Sequence, residues 1–296
     1  MRLVSYSAEG VLKPGAAFDT RVFDVAMLIS AAGVSDGRPH GSVRELLESY
    51  GDDLPALAAT FRAAAVGDAA EARVGDLADV RLGPPVPDPA KVLCVGLNYR
   101  DHVAETRRAL PEHPDIFAKF ATSLTGPADD LCLSQVSAKL DYEGELAVVI
   151  GTACRGVAPE EAIDKIAGAM ILNDTTARDL QFNATQWLPG KAVDGSTPCG
   201  PALVTLDELG DLHHLNLVTR VNGAEVQRSS TDRMIFPIPQ IISYISQFLE
   251  LTPGDVISTG TPDGVGSRRD PPSFLAPGDV IEVEIDRLGV LRNTVR

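Results

Sequence analysis

The chain has 296 residues, 44% of them hydrophobic and 23% charged, with a formal net charge of −15. That is enough chain to bury one large core or two smaller ones, in the composition range of soluble globular proteins. An acidic balance excludes nucleic acid as the main partner, because phosphate binding needs a basic footprint; a small anion needs only local positive charge or a metal.

No apolar run approaches membrane-spanning length, and the first ten residues lack the apolar stretch of a secretory signal. Cys94, Cys132, Cys154 and Cys199 are scattered with no CxxC spacing. Neither a zinc site nor a disulfide framework is expected, and a reducing cytoplasm is the simplest location.

In chain order, a small α/β N-terminal domain is expected over residues 1–82. Helices are predicted over 42–50 and over the alanine-rich stretch 54–65. The proline-rich segment 83–90 cannot continue helix or sheet and reads as a linker. A larger domain follows over 91–296. It opens with a buried strand at 91–96 and a short helix at 101–110. An apolar strand runs to Ile150, another ends near Asp174, and helices are predicted at 159–166 and 239–248. A hairpin at 217–226 carries Asn222-Gly223 at its turn. The alternating segment 279–285 reads as a half-buried strand. Strands outnumber helices without regular βα alternation, so the class is α+β.

The segment Leu140-Asp141-Tyr142-Glu143-Gly144-Glu145 leads into the apolar strand ending at Ile150. On a strand, residues two apart share a face, which sets Glu143 beside Glu145 and in line with Ala147 and Val149. Two carboxylates on a partly buried face repel and lose hydration. The segment alone leaves three readings open: a shared proton, a cation between them, or a solvated strand end. Asp174, at the end of its own strand, adds a third carboxylate. Three carboxylates without histidine or cysteine make a hard oxygen site, suited to Mg²⁺, Mn²⁺ or Ca²⁺.

His102 and Glu105 are three apart, neighbours on a helix, and a glutamate there orients the imidazole and raises its basicity. Asp174, Arg178 and Gln181 at helical spacing would line one pocket. Lys191 would meet a carboxylate or enolate oxygen. The glycine-rich stretch Gly260–Gly266 fits neither a phosphate loop nor a dinucleotide fingerprint and reads as a tight substrate-side loop. His40, His113, His213 and His214 lie in polar or loop-like stretches and are read as structural or surface residues.

Taken as an ordered set, these motifs resemble the fumarylacetoacetate hydrolase superfamily. The set comprises Gly96-Leu97-Asn98-Tyr99, His102-x-x-Glu105, Glu143-x-Glu145, Asn173-Asp174, Ala177-Arg178-Asp179-Leu180-Gln181, Gly190-Lys191 and Gly260-Thr261-Pro262-x-Gly264-Val265-Gly266. The resemblance spans roughly residues 90 to 296, with the first 80 or so similar to the small N-terminal domain of bacterial members. It implies a mixed β-sandwich or β-roll catalytic domain, a homodimer and a Mg²⁺ or Mn²⁺ ion. It implies Glu143, Glu145 and Asp174 as metal ligands, and His102 with Glu105 as a dyad on a mobile helix. Lys191 matches the lysine near the metal, and Arg178, Gln181 and Thr261 match substrate contacts. One stretch departs from the pattern: Lys191-Ala192-Val193-Asp194-Gly195-Ser196 stands where many relatives carry a Lys-Ser-Phe-Asp-Thr type sequence.

The implied activity is hydrolysis of a carbon–carbon bond in an acylpyruvate, such as fumarylpyruvate or maleylpyruvate from aromatic catabolism, giving pyruvate and a carboxylic acid. The substrate is then a small anionic oxo acid. Decarboxylation of oxaloacetate and tautomerisation or isomerisation of a 2-hydroxy-dienoate run through the same enolate and are the rival chemistries. A non-catalytic metal or ligand binder is the rival from outside enzymology.

Overall fold

The computed structural model describes residues 1–67, 69–132 and 135–296. A large, mostly antiparallel sheet organises the chain. From one edge its strands run Arg73–Asp76, Arg21–Asp24, Val11–Phe18, Arg2–Ala8, Thr197–Thr205, Ile166–Asn173, Gly144–Ile150, Val256–Ser258, Val92–Gly96 and Asp115–Lys119. The N-terminal strands join the later ones directly, with Arg2 opposite Val204 and Leu3 opposite Leu203. The first 82 residues thus extend the same sheet that carries the second part of the chain.

The central strands are buried on both faces, which is why they read as unbroken apolar runs. Along Gly144–Ile150, Leu146, Val148 and Ile150 enter one hydrophobic cluster, while Ala147 and Val149 enter another. A second, antiparallel sheet covers the first cluster, in the order Ala224–Ser230, Asn216–Val221, Val280–Ile285 and Gly289–Thr294. It contributes Leu217, Ile281, Val283, Ile285 and Leu291. The N-terminal helices cover the opposite cluster with Leu46, Leu47, Leu57 and Phe61. The result is a mixed α+β fold, two sheets packed as a sandwich with helices on the outer face of the larger one.

Local sequence explains most boundaries. Ser42 caps the helix Val43–Tyr50 by accepting from the Glu45 amide, and the Glu45 carboxylate accepts from the Gly41 amide. Ile238, Ile241, Ile242 and Ile245 fall on one face of the helix Ile238–Phe248 and are buried. The hairpin turn at Asn222-Gly223 has positive φ at both residues, 52° and 79°, as its two-residue connection requires.

Three expectations need revision. The helix predicted over 101–110 is Arg100–Thr106, closed by Arg107 in the left-handed region. The helix predicted over 159–166 is one turn, Pro159–Ala162, then a tight 3₁₀ turn, and Ile166 already begins a strand. Asp174 and Arg178 lie on no common helix. Asp174 follows the strand Ile166–Asn173, and only Arg178–Gln181 make a single turn. No helix among the described residues is long and apolar enough to cross a membrane.

Candidate active site

The three carboxylates meet because of strand register. Gly144 pairs with Asn173, so the residues just outside that pair, Glu143 and Asp174, fall side by side. The Asp174 amide donates to the Glu143 carbonyl at 2.9 Å, and Asn173 Oδ1 accepts from the Glu143 amide at 2.9 Å. The glycine between the two glutamates has a steric cause. A Cβ at Gly144 would stand 2.3 Å from Thr219 Oγ1 on the covering sheet, so only hydrogen fits. Glu143, Glu145 and Asp174 are all buried, and one oxygen from each lies within 4.8 Å of the others.

Buried cations surround this cluster. Lys191, on the one-turn helix Leu188–Lys191, places Nζ 2.6 Å from both Glu143 Oε2 and Asp174 Oδ2. Arg178 donates to Asp141, Glu143 and Gln181 through Nε, Nη2 and Nη1, at 2.8, 2.6 and 2.9 Å. Lys119, at the end of an edge strand, reaches Asp174 Oδ1 at 2.7 Å. Asp141 also accepts from the Gly266 and Ser267 amides, which ties the glycine-rich loop to the same network.

Burial pushes the Glu143 carboxyl up, but Lys191, Arg178 and His102 outweigh it and hold it at about 2. Burial drives the Lys191 ammonium down, and the Asp174 and Glu143 carboxylates reverse that and raise it above its ordinary value.

Glu145 differs from its neighbours. It makes no ion pair among the described residues and accepts only from Ser258 Oγ and from the Gly260 amide at 2.9 Å. Burial first, then the charges of Asp174 and Glu143, raises its carboxyl well above the ordinary range. A buried oxygen cluster whose third carboxylate has no protein cation fits a divalent ion, which supplies the missing positive charge.

On the helix Arg100–Thr106, His102 and Glu105 bond through Nδ1 and Oε1 at 2.7 Å. Glu105 Oε2 accepts from the Gly264 amide at 3.1 Å. Gly264 has φ +97°, and a Cβ there would stand 2.1 Å from the Val226 carbonyl, so glycine alone lets the loop grip Glu105. With Nδ1 donating to Glu105, the other ring nitrogen of His102 is free to accept a proton.

His102, Glu143, Glu145, Asp174, Arg178, Gln181, Lys191 and Thr261 all line one pocket. Glu105 stands behind His102. Each guanidinium nitrogen of Arg178 already donates to a protein partner. The Thr261 hydroxyl donates to the Gly144 carbonyl and accepts from Gln227, so it braces the strand Gly144–Ile150. Sequence reasoning missed Lys119 and the bracing role of Asp141. A lysine ending the strand Asp115–Lys119 carries no local sign of its distant partner. The adjacency of Asp141 to the glutamate pair was the one available signal.

Fold and site together set three buried carboxylates, a donor set that fits a divalent ion, beside a histidine–glutamate pair in one pocket of an α+β sandwich. Residues 91–296 match the family model described as fumarylacetoacetate (FAA) hydrolase C-terminal, and the chain belongs to that family. It is 46% identical over 213 residues to a mitochondrial oxaloacetate tautomerase of Xenopus laevis, covering 71% of this chain and 67% of that protein. The solved fumarylacetoacetate hydrolase from Exiguobacterium antarcticum superposes with a TM-score of 0.82 at 35% identity, over 100% of this chain and 99% of the other. Maleylpyruvate hydrolase from a Sphingobium species, solved with manganese (II) ion and pyruvate, gives 0.78 at 28% identity, over 100% and 98%.

Proposed function

We propose that this chain is a divalent-metal-dependent enzyme that moves a proton between carbon and oxygen of a 2-oxo acid, interconverting its keto and enol forms. The observation that carries the reading is a base and a cation in one pocket: His102 fixed by Glu105, and Lys191 held between Glu143 and Asp174. The 46% identity to an oxaloacetate tautomerase supports oxaloacetate as the test substrate.

A divalent ion held by Glu143, Glu145 and Asp174, Mg²⁺ or Mn²⁺ by its oxygen ligands, would supply Lewis-acid polarisation of the 2-oxo group. His102 takes the proton from the neighbouring carbon at its free ring nitrogen. Glu105 steadies the imidazolium that forms and keeps the ring oriented. Lys191 stays charged because two carboxylates flank it, and it offers that charge to the oxygen on which negative charge gathers. His102 then returns the proton to that oxygen.

A second reading keeps the same residues: His102 takes a proton from water, the hydroxide adds to the distal carbonyl carbon of an acylpyruvate, and the adjacent carbon–carbon bond breaks to leave a carboxylic acid and a pyruvate enolate, to which His102 returns the proton. The likeness to a maleylpyruvate hydrolase solved with manganese and pyruvate favours keeping it. Proton NMR in D₂O, with oxaloacetate and with fumarylpyruvate, separates the two. Accelerated ketonisation and exchange without fragmentation supports the tautomerase. Two organic products move the reading to hydrolysis, and carbon dioxide moves it to decarboxylation. Inertness toward both acids with either ion ends the proposal.

A further inference from the structure

Away from the catalytic pocket, one buried histidine has no hydrogen-bond partner for its ring. His40 is 8% exposed, and neither Nδ1 nor Nε2 makes a hydrogen bond among the described residues. Asp36 Oδ1 stands 3.5 Å from Nε2, and that oxygen already accepts from the Arg38 amide at 2.9 Å. Native interiors pair nearly all such groups, so an unpaired buried imidazole marks a place where a partner belongs.

The ring lines a cleft of about 240 Å³. The helix Val25–Ala32 supplies Ile29 and Ser30 to it, and the segment after the helix supplies Ser35, Arg38, Pro39 and His40. Tyr50 fixes the ring from another side. The two rings meet edge-on with centroids 5.3 Å apart, and the Tyr50 hydroxyl donates to the Val34 carbonyl at 2.6 Å. Arg38 is exposed, and its guanidinium forms no ion pair among the described residues. A guanidinium, two hydroxyls and an unpaired imidazole thus share one cleft with the apolar surfaces of Ile29 and Pro39. A guanidinium only donates and hydroxyls can donate, which suits an anion, and the apolar surfaces suit a hydrocarbon stem.

We propose that this cleft is a second ligand site, one that binds a small carboxylate with a short apolar stem. The carboxylate takes the Arg38 guanidinium and the Ser30 and Ser35 hydroxyls, and the stem lies on Ile29 and Pro39. Because Nε2 faces Asp36, Nδ1 is the His40 nitrogen that completes the set. The site lies in the N-terminal part of the chain and does not depend on the 2-oxo-acid reading of the catalytic pocket. It is one helix away from the strand that carries Glu145. The helix Val43–Tyr50 starts three residues after His40 and ends at Gly51, where a Cβ would stand 2.0 Å from the Gly151 carbonyl. Gly151 directly follows the strand Gly144–Ile150.

Proton–carbon NMR of the imidazole rings in the full-length, Mg²⁺-loaded protein tests this, with butyrate as the probe. The chain has five histidines. H40Q, or through-space contacts to the Tyr50 ring, identifies the His40 signals, and the His102 signals report separately on the catalytic pocket. The His40 signals are expected to move saturably with a dissociation constant of about 1 mM, the range of a few-atom ligand held by one charge-assisted contact. The R38Q variant, altered at an exposed side chain, should bind about tenfold more weakly, and R38K should recover part of the loss. Butylamine, a similar stem with the opposite charge, should leave His40 unmoved. His40 signals that stay still with butyrate, move equally with butylamine, or respond unchanged in R38Q would overturn the site. Shifts confined to His102 would place the acid in the catalytic pocket and overturn it as well.

Discussion

Lys119 and Asp174 meet in the interior, with Nζ 2.7 Å from Oδ1 and neither side chain reaching solvent. The other Asp174 oxygen is held by Lys191 at 2.6 Å. Both oxygens of one proposed metal ligand are thus fixed by lysines on different elements, an edge strand and a one-turn helix.

Removing one partner of a buried ion pair leaves the other charge uncompensated. Lys119→Met is therefore expected to destabilise the metal-free protein by about 3 kcal/mol. Urea unfolding in EDTA measures this. Added Mn²⁺ should recover part of the loss by neutralising Asp174. A variant as stable as the wild type would show that the pair contributes nothing net.

Glu145→Gln imitates the protonated carboxyl. Because Glu145 has no cationic partner, the metal-free variant should unfold within about 1 kcal/mol of the wild type, the scale of a neutral hydrogen bond. Its affinity for Mn²⁺ should fall by about a hundredfold or more, since even outer-shell losses cost up to that much. Calorimetry compares the two proteins directly.

The same residue sets a pH dependence. Glu145 is raised from its ordinary 4.5, so folding retains a proton that the unfolded chain releases near that pH. The metal-free protein should lose this stability as pH rises from about 4.5 through the raised value. Glu143, held at about 2, acts in the opposite sense. Its contribution is in place above 4.5 and is lost as pH falls toward 2. A metal ion must displace the Glu145 proton, so below the raised value its affinity should drop about tenfold per pH unit. Titrations in buffers of different ionisation enthalpy count the released proton.

His102→Asn should lower kcat about 10²–10⁴-fold with a smaller effect on KM, the usual range for a lost general base. Glu105→Gln should cost less, because the ring keeps a hydrogen-bonding neighbour at Nδ1 but loses the carboxylate that steadies the imidazolium formed in the reaction. Steady-state rates of the two variants test both. A Glu105→Gln variant with wild-type kcat would separate Glu105 from the base.

The carboxylate cluster was legible where its chemistry is local. The Glu143-x-Glu145 spacing and the His102–Glu105 spacing each fit one element, and the apolar run after Glu145 marked a buried strand. Lys119 was illegible because its partner lies 55 residues away. The union of the first strand with the later sheet was hidden for the same reason, since Arg2 pairs with Val204. Asp174, Arg178 and Gln181 do share a pocket, but through a strand end and a single turn. Helical spacing pointed to the right group by the wrong geometry, because the spacing rule cannot see that tertiary pairing holds Thr176–Ala177 extended.

The most direct test is the ketonisation of enol-oxaloacetate, followed by ultraviolet absorbance with EDTA-stripped protein and after reloading with Mg²⁺ or Mn²⁺. The account predicts that stripped protein leaves the uncatalysed rate unchanged, that the ion restores catalysis, and that Glu145→Gln needs far more ion to do so. Full catalysis by the stripped protein, or equal ion dependence in Glu145→Gln, would contradict it.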